Sequence, residues 1–176
     1  MKDGLRLART HSDLHMSGSA DVWIAVPPAT AYVAVADLRR MGEWSPENRG
    51  GDWLTGERTA VGAMFRGRNE RAGGSWETIA TIIDAVPPTR FAFRVAPPGE
   101  EHGTDWQFQF RPDDDGTRVT ESFTWDWTPL PDEGFRARVG RMALEEAVSE
   151  VAARERLLRE GVRATVMRLK AVLESV

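Results

Sequence analysis

Hydrophobic and polar positions divide the first part of the chain into a strand and two helices. Residues 19–26 alternate between apolar and polar side chains and end before two prolines, which predicts a β-strand. The alanine-rich segment 29–41 has apolar residues near helical spacing, so we expect a helix beginning beside the second proline. Ser45 is followed by a proline and a glutamate, a pattern that favours a second helix of about one turn.

The middle of the chain, from residue 62 to residue 127, has an apolar side chain at nearly every second position. This period is typical of strands with one buried face. Glycine or proline pairs and a run of aspartates separate the alternating segments, which indicates short turns. Successive strands joined by short turns predict an antiparallel sheet. The predicted strands of the whole chain are 19–26, a brief strand around Trp53, 63–71, 75–86, 90–95, 105–110 and 117–127.

The last part of the chain follows a helical period. Its apolar residues recur at steps of three, four or seven between Leu144 and Leu173, which predicts an amphipathic helix. One straight helix over residues 133–175 would be roughly 65 Å long. A domain of this size has a radius of gyration of about 16 Å. We therefore expect a bend or break near Gly140.

Together these elements predict one α+β domain over residues 19–176, preceded by an N-terminal extension, residues 1–18. A curved antiparallel sheet with one apolar face needs a cover. The C-terminal helix is the only long amphipathic element in the sequence, so the sheet is expected to wrap around it.

Composition and charge narrow the function. The 176 residues carry a net charge of −4, whereas a nucleic-acid-binding protein normally has a basic surplus, so we expect no nucleic acid as partner. The chain has no cysteine and only three dispersed histidines, so we expect no metal and no cofactor. No apolar run reaches membrane-spanning length, and the N-terminus has no signal-peptide pattern. We therefore expect a cytoplasmic monomer or homodimer without membrane insertion.

Six segments between residues 20 and 175 resemble a known superfamily. They are VWIAVPPATAY, ADLRRMGEWSPE, FRGRN, PPTRFAFRV, GTRVTES and GVRATVMRLK. In their order and spacing they are similar to the START-related SRPBCC superfamily, in particular its polyketide cyclase/dehydrase-like branch. The resemblance implies a helix-grip fold: a curved seven-stranded antiparallel sheet wraps around a long C-terminal helix, and two short N-terminal helices follow strand 1. It also implies a deep, largely apolar cavity between sheet and helix, closed by loops at one end.

Aromatic side chains recur along the predicted strands. Each of them either fills the core or lines a cavity, and as a group they favour a cavity for flat or aromatic ligands. Asn69 shares a face with Phe65 and would offer a neutral hydrogen-bonding pair. The residues predicted to bind the ligand are Trp44, Trp53, Phe65, Asn69, Trp76, Phe93, Trp106, Phe108, Glu121, Phe123 and Trp125.

Glu121 is the candidate catalytic residue. Strand parity places it on the same face as Val119, Phe123 and Trp125, which points it to the interior. A buried carboxylate without a partner is costly and has a raised pKa, so an arginine or a ligand hydroxyl is expected beside it. In the alternative interpretation, a β-bulge turns Glu121 towards solvent.

Trp44 and Trp53 flank a segment rich in turn-forming residues, EWSPENRGGDWL. The largest apolar side chains are unusual in such a segment. One hypothesis is that the two tryptophans gate the cavity and that Gly50 and Gly51 form the hinge. The other is that both tryptophans plug the end of the core.

The sequence supports three functions. The first is a carrier or sensor that binds a small hydrophobic ligand, aromatic or polyketide-like. The alternative is a cyclase, aromatase or dehydratase that uses the same cavity, although the sequence contains no cyclase constellation that can be placed residue by residue. A third is a regulatory protein that binds a partner through a sheet edge or the long helix.

Overall fold

A seven-stranded antiparallel sheet forms the body of the protein. The computed structural model describes residues 10–97, 101–128 and 135–175. The strands are β1 (His15–Ile24), β2 (Asn48–Thr55), β3 (Met64–Arg71), β4 (Gly74–Val86), β5 (Arg90–Val95), β6 (Thr104–Asp113) and β7 (Gly116–Asp126). Their order in the sheet is β1-β7-β6-β5-β4-β3-β2, so the first strand lies beside the last and the edges are β1 and β2.

Helices connect and cover this sheet. α1 (Pro28–Ala36) and a 3-10 helix (Leu38–Glu43) lead from β1 to β2, and a shorter 3-10 helix (His11–Asp13) precedes β1. α2 (Phe135–Gly140) and α3 (Leu144–Glu174) follow β7. α3 has 31 residues, which makes it about 46 Å long. The predicted α+β helix-grip fold is therefore confirmed, as is the helix break near Gly140.

Side chains of α3 bond to the free edge of β1, where backbone groups have no neighbouring strand. The middle and the C-terminal end of the helix take part in these bonds. The bonds are Ser17 N to Glu155 Oε1 (3.1 Å), Ala25 N to Glu174 Oε1 (2.8 Å) and Lys170 Nζ to the Trp23 carbonyl (2.9 Å). The long helix is thus held against the first strand by polar bonds as well as by apolar packing.

The structure corrects the start of the first strand. β1 begins at His15, four residues before the predicted start at residue 19, so residues 15–18 form part of the sheet rather than of an N-terminal extension. Met16 lies opposite Trp125 of β7 and is 2% exposed. The polar residues around Met16 hid this buried position from the alternation pattern.

The helix predicted at Ser45 was wrong. The Ser45 hydroxyl accepts the backbone N–H groups of Glu47 (3.2 Å) and Asn48 (2.9 Å), as a helix cap would. The chain nevertheless enters β2 at Asn48, because that residue pairs with Asn69 of β3. The second short helix instead comes earlier. The first helix ends at Ala36, before the predicted residue 41, and the 3-10 helix from Leu38 to Glu43 follows it.

Gly50 and Gly51, predicted to form a hinge, lie inside β2 at an irregularity of its pairing with β3. Gly50 has φ of 82°, a conformation that favours glycine. A Cβ atom on Gly51 would lie 1.8 Å from the Arg66 carbonyl oxygen. The two glycines therefore allow backbones to approach closely within the sheet, which corrects the hinge interpretation.

Replacing Gly51 by alanine should destabilise the fold by about 3 kcal/mol or more, because the added methyl overlaps the backbone of β3. Gly62→Ala is the matched control. Gly62 has φ of 88°, and a Cβ there meets nothing within 4 Å. Only the strain of the left-handed conformation remains, about 1–2 kcal/mol. Urea denaturation of both variants measures the difference, and equal losses would contradict the close approach at Gly51.

Candidate functional site

A cavity of about 590 Å³ lies between the sheet and α3. All seven strands contribute to its wall, and α2, α3 and the 3-10 helix before Trp44 complete it. The buried apolar residues form two clusters, and the wall takes residues from both: Phe65 and Phe108 belong to one, and Met16 and Trp125 to the other. The cavity therefore borders both clusters of the core, and Trp106 packs against both.

The structure brings most of the predicted ligand-binding residues together around this cavity. Trp53 and Phe123 do not line it. Trp53 packs edge-on against Phe65 with ring centroids 5.3 Å apart, and Phe123 is buried beside Gly18 and packs against the Trp106 ring. The predicted residues that line the cavity are Trp44, Phe65, Asn69, Trp76, Phe93, Trp106, Phe108, Glu121 and Trp125.

Glu121 faces the interior, as strand parity predicted. β7 keeps a continuous register with both β1 and β6 around this residue, so no bulge turns it outwards. Its side chain is 5% exposed and lies on the cavity wall. The inward orientation is thereby confirmed, while a catalytic role stays a prediction.

The Glu121 carboxyl has one protein partner and one unpaired atom. Burial raises its pKa well above the usual value, and a hydrogen bond with the Thr165 side chain opposes this rise. Within the described residues, Oε2 has no hydrogen-bond partner. Of the two expected partners, an arginine or a ligand hydroxyl, no arginine of the described residues contributes to its pKa. The protein thus presents a buried carboxyl that favours its neutral, protonated form.

A second polar patch lies on β2, β3 and β4. The Asn48 amide donates to the Asn69 side-chain oxygen at 3.1 Å, and the Asn69 amide donates to the Thr78 hydroxyl at 3.1 Å. All three side chains line the cavity. Because Thr78 accepts this bond, its own hydroxyl proton is left to donate. The patch is neutral and offers both donors and acceptors.

Two arginines on the cavity wall bond to other parts of the protein. Arg154 pairs with Glu47 at 3.4 Å. Arg136 is 6% exposed, donates to the carbonyls of Gly103 (2.9 Å) and Asp126, and lies over the Trp125 ring at 4.7 Å. The Arg136 bonds attach α2 to Gly103 and to the last residue of β7.

Arg66 and Arg68 face outwards, as predicted from their alternation with Phe65. Their side chains are 43% and 52% exposed, and both pair with Asp52. They therefore lie outside the cavity wall and are not positioned to bind a ligand head group inside it.

The burial of Trp44 favours the hypothesis of a plug over that of a gate, because the residue is 0% exposed. It nevertheless lines the cavity, and its indole Nε1 has no hydrogen-bond partner within the residues that the structure describes. The Arg40 guanidinium lies over the Trp44 ring, 5.6 Å from its centroid. Whether Trp44 moves during ligand exchange stays a prediction.

Sequence reasoning missed several residues of the wall. Thr165 interrupts the apolar stripe of α3 between Val162 and Leu169, and this interruption was an available signal. Arg136 gave no signal, because its bonds go to backbone carbonyls that are remote in sequence.

Two further properties bear on the chemistry. Among residues 10–97, 101–128 and 135–175, no three histidine, aspartate or glutamate side chains lie close enough together to hold a metal ion. No helix in these same ranges is long and apolar enough to cross a membrane.

Comparisons with known proteins place this geometry in context. The sequence model of a family described as polyketide cyclase/dehydrase and lipid transport matches residues 15–174. A solution NMR structure of a Polyketide_cyc-like protein, Cgl2372 from Corynebacterium glutamicum, is 29% identical to this chain. The likeness covers 91% of this chain and 92% of that protein, with a TM-score of 0.57. None of the curated proteins matches the sequence.

Two other solved structures are similar in fold. The di-domain ARO/CYC protein BexL, from the BE-7585A biosynthetic pathway, is 18% identical, with a TM-score of 0.68 over 94% of this chain and 52% of BexL. Protein NE0264 from Nitrosomonas europaea is 13% identical, with a TM-score of 0.63 over 91% of this chain and 95% of that one. At these identities the likeness shows the fold alone.

The raised pKa of Glu121 should make stability depend on pH in a defined direction. The folded protein holds this proton more tightly than the unfolded chain, whose carboxyl titrates near 4.5. The stabilisation is therefore complete below about pH 4.5 and is lost as pH rises from there through the folded pKa. We expect the free energy of unfolding of the wild type to fall relative to that of Glu121→Gln as pH rises above about 4.5. Urea denaturation measures it, and a difference that does not change with pH would contradict the assignment.

Trp44→Ala should cost about 3–5 kcal/mol of folding stability, because it truncates a fully buried aromatic side chain. Trp53→Ala is the control and should cost less, since Trp53 is partly exposed at the sheet edge. Denaturation midpoints should be measured together with the rates at which an apolar dye such as Nile red enters and leaves the cavity. A small stability loss for Trp44→Ala with strongly altered exchange rates would favour the gate over the plug.

Proposed function

Since the chain belongs to the polyketide cyclase/dehydrase and lipid transport family, we propose that it binds a small hydrophobic ligand, aromatic or polyketide-like, as a carrier or sensor. The resemblance to this family drawn from the sequence is thereby confirmed, whereas the ligand and the carrier role are our proposal. The observation that carries it is the cavity of about 590 Å³ in the middle of the core. Natural cores are packed to near-crystalline density, so a void of this size is retained for an occupant.

The wall suits a flat apolar molecule. Tryptophan and phenylalanine side chains from strands β3 to β7 surround the cavity, and aromatic rings favour offset or edge-on contact with other rings. Glu77, His102 and Leu157 line the cavity and are exposed, so the wall reaches the surface on the side where these residues lie. A ligand can thus contact buried aromatic rings while one of its ends lies near solvent.

A cyclase-type enzyme is the second candidate, and Glu121 is the observation that favours it. A neutral carboxyl on the wall of an apolar cavity could donate and take back the proton that ring closure moves. Incubation with a synthetic poly-β-ketone thioester separates the two candidates. A carrier leaves the rate and products of spontaneous ring closure as they are without protein, whereas an enzyme accelerates ring closure or directs it to one product in mass spectrometry. The cytoplasmic location expected from the sequence suits both.

Gly161 of α3 offers a way to fill the cavity without disturbing its wall. It lines the cavity, and the nearest atom to an added Cβ is Pro46 Cγ at 4.0 Å. Gly161→Leu should therefore fold at least as stably as the wild type, because leucine is a much better helix former than glycine. It should weaken uptake of the neutral dye Nile red about tenfold or more, because the side chain occupies ligand space.

Gly161→Ala is the matched control for this experiment. It gains the same helix propensity, about 1 kcal/mol, but adds only a methyl group, so dye uptake should stay close to that of the wild type. Fluorescence titration and thermal denaturation measure the two effects separately. If the wild type takes up no dye, or if Gly161→Leu binds it as well as Gly161→Ala does, the cavity is not the ligand site.

A further inference from the structure

Glu121 lacks the partners that a buried carboxyl normally has. Its Oε2 atom makes no hydrogen bond to any residue in the described part of the chain. Its direct neighbours across the sheet are Ala20 of β1 and Phe108 of β6, neither of which has a polar side chain. Leaving a buried polar atom unpaired costs folding free energy, and an apolar residue would avoid that cost. A molecule in the cavity can supply the missing partner.

Thr165 is the protein partner of this carboxyl on the cavity wall. Its side chain hydrogen-bonds to the Glu121 carboxyl from α3, and both residues line the cavity. Burial raises the pKa of this carboxyl, which favours its neutral form. A neutral carboxyl can donate one hydrogen bond and accept others. The pair can therefore bind either a hydroxyl or a carbonyl group of a ligand.

The charged residues of the wall disfavour an anionic ligand at this place. Arg154 pairs with Glu47, and Arg136 donates to the backbone carbonyls of Gly103 and Asp126. A carboxylate or sulfonate beside Glu121 would be buried without a cation as partner unless it drew an arginine away from its present bonds. Burying a charge without a partner is much more costly than burying a hydroxyl.

We infer that Glu121 and Thr165 form a hydrogen-bonding subsite that selects an uncharged aromatic ligand with a hydroxyl or carbonyl group at its buried end. This inference rests on the proposed function, since it requires a ligand in the cavity. Thr78 and Asn69 would form a second hydrogen-bonding patch for the same ligand. β7 and β4 are three strand spacings apart, about 14 Å along the sheet, so a ligand of several rings with a polar group at each end would reach both patches.

Three probes of the same ring size test this subsite: naphthalene, 2-naphthol and 2-naphthoate. Their affinities for the full chain can be measured near pH 6.5 by displacement of Nile red. We expect 2-naphthol to bind about 3–10 times more tightly than naphthalene, the effect of one added hydrogen bond. We expect 2-naphthoate to bind most weakly.

Variants at the subsite identify the residue responsible. Glu121→Met replaces the carboxyl with an apolar group of similar length, so it should bind naphthalene at least as well as the wild type and lose the preference for 2-naphthol. Glu121→Gln keeps a neutral donor and acceptor and should retain the preference. Thermal denaturation checks folding. If the methionine variant does not fold, Thr165→Val decides instead, because it removes the bond that orients the carboxyl and should reduce the preference.

The outcomes separate this inference from the proposed function. If naphthalene and 2-naphthol bind the wild type equally, or if Glu121→Met keeps the preference, the subsite is wrong while ligand binding in the cavity stands. Tightest binding of 2-naphthoate would likewise overturn it. If none of the probes displaces the dye and the dye itself does not bind, the proposed function fails, and this inference fails with it.

Discussion

The antiparallel pairing of β1 with β7 runs from His15 opposite Asp126 to Ile24 opposite Thr117. It joins the beginning of the sheet to its end in sequence, so the helix that follows β7 starts beside the first strand. Because β1 and β2 lie at opposite edges of the sheet, the chain must cross the sheet between them. α1 and the following 3-10 helix make this crossing. α1 packs on β5, β6 and β7, and α3 packs on β1 and β7. The cavity lies between the inner face of the sheet and α2, α3 and the 3-10 helix, where these elements leave space unfilled.

The cavity links the folding stability of the protein to ligand binding. Trp44 Nε1 and Glu121 Oε2 are buried polar atoms without partners in the described residues, and both residues line the cavity. Each would be an unnecessary loss of folding free energy in a protein that only had to fold. A ligand that pairs either atom and fills the void would stabilise the folded state by binding to it alone. In the cavity, folding alone therefore leaves polar atoms unpaired and space unfilled, and a ligand can supply both the partner and the packing.

How far the sequence predicts this arrangement differs from residue to residue. Strand parity placed Glu121 correctly, because a period of two fixes the face of every residue as long as the register has no bulge. The pattern at Ser45 led to a wrong helix prediction, because its hydroxyl can accept two backbone N–H groups whether a helix or a strand follows. The bond from Thr165 to Glu121 joins residues that are distant in sequence. Such a contact depends on the exact rotation of α3 over the sheet, which an apolar stripe defines only coarsely.

The bonds from Glu155, Lys170 and Glu174 to the outer side of β1 have a consequence for association between molecules. An exposed edge strand is a template on which another chain can add a strand, and this is a common route to aggregation. Here carboxylate and ammonium groups of the protein's own helix already occupy backbone donors and an acceptor on that edge. A second molecule would have to displace charged side chains before it could pair there. The same contacts that attach the helix thus shield one end of the sheet from intermolecular strand addition.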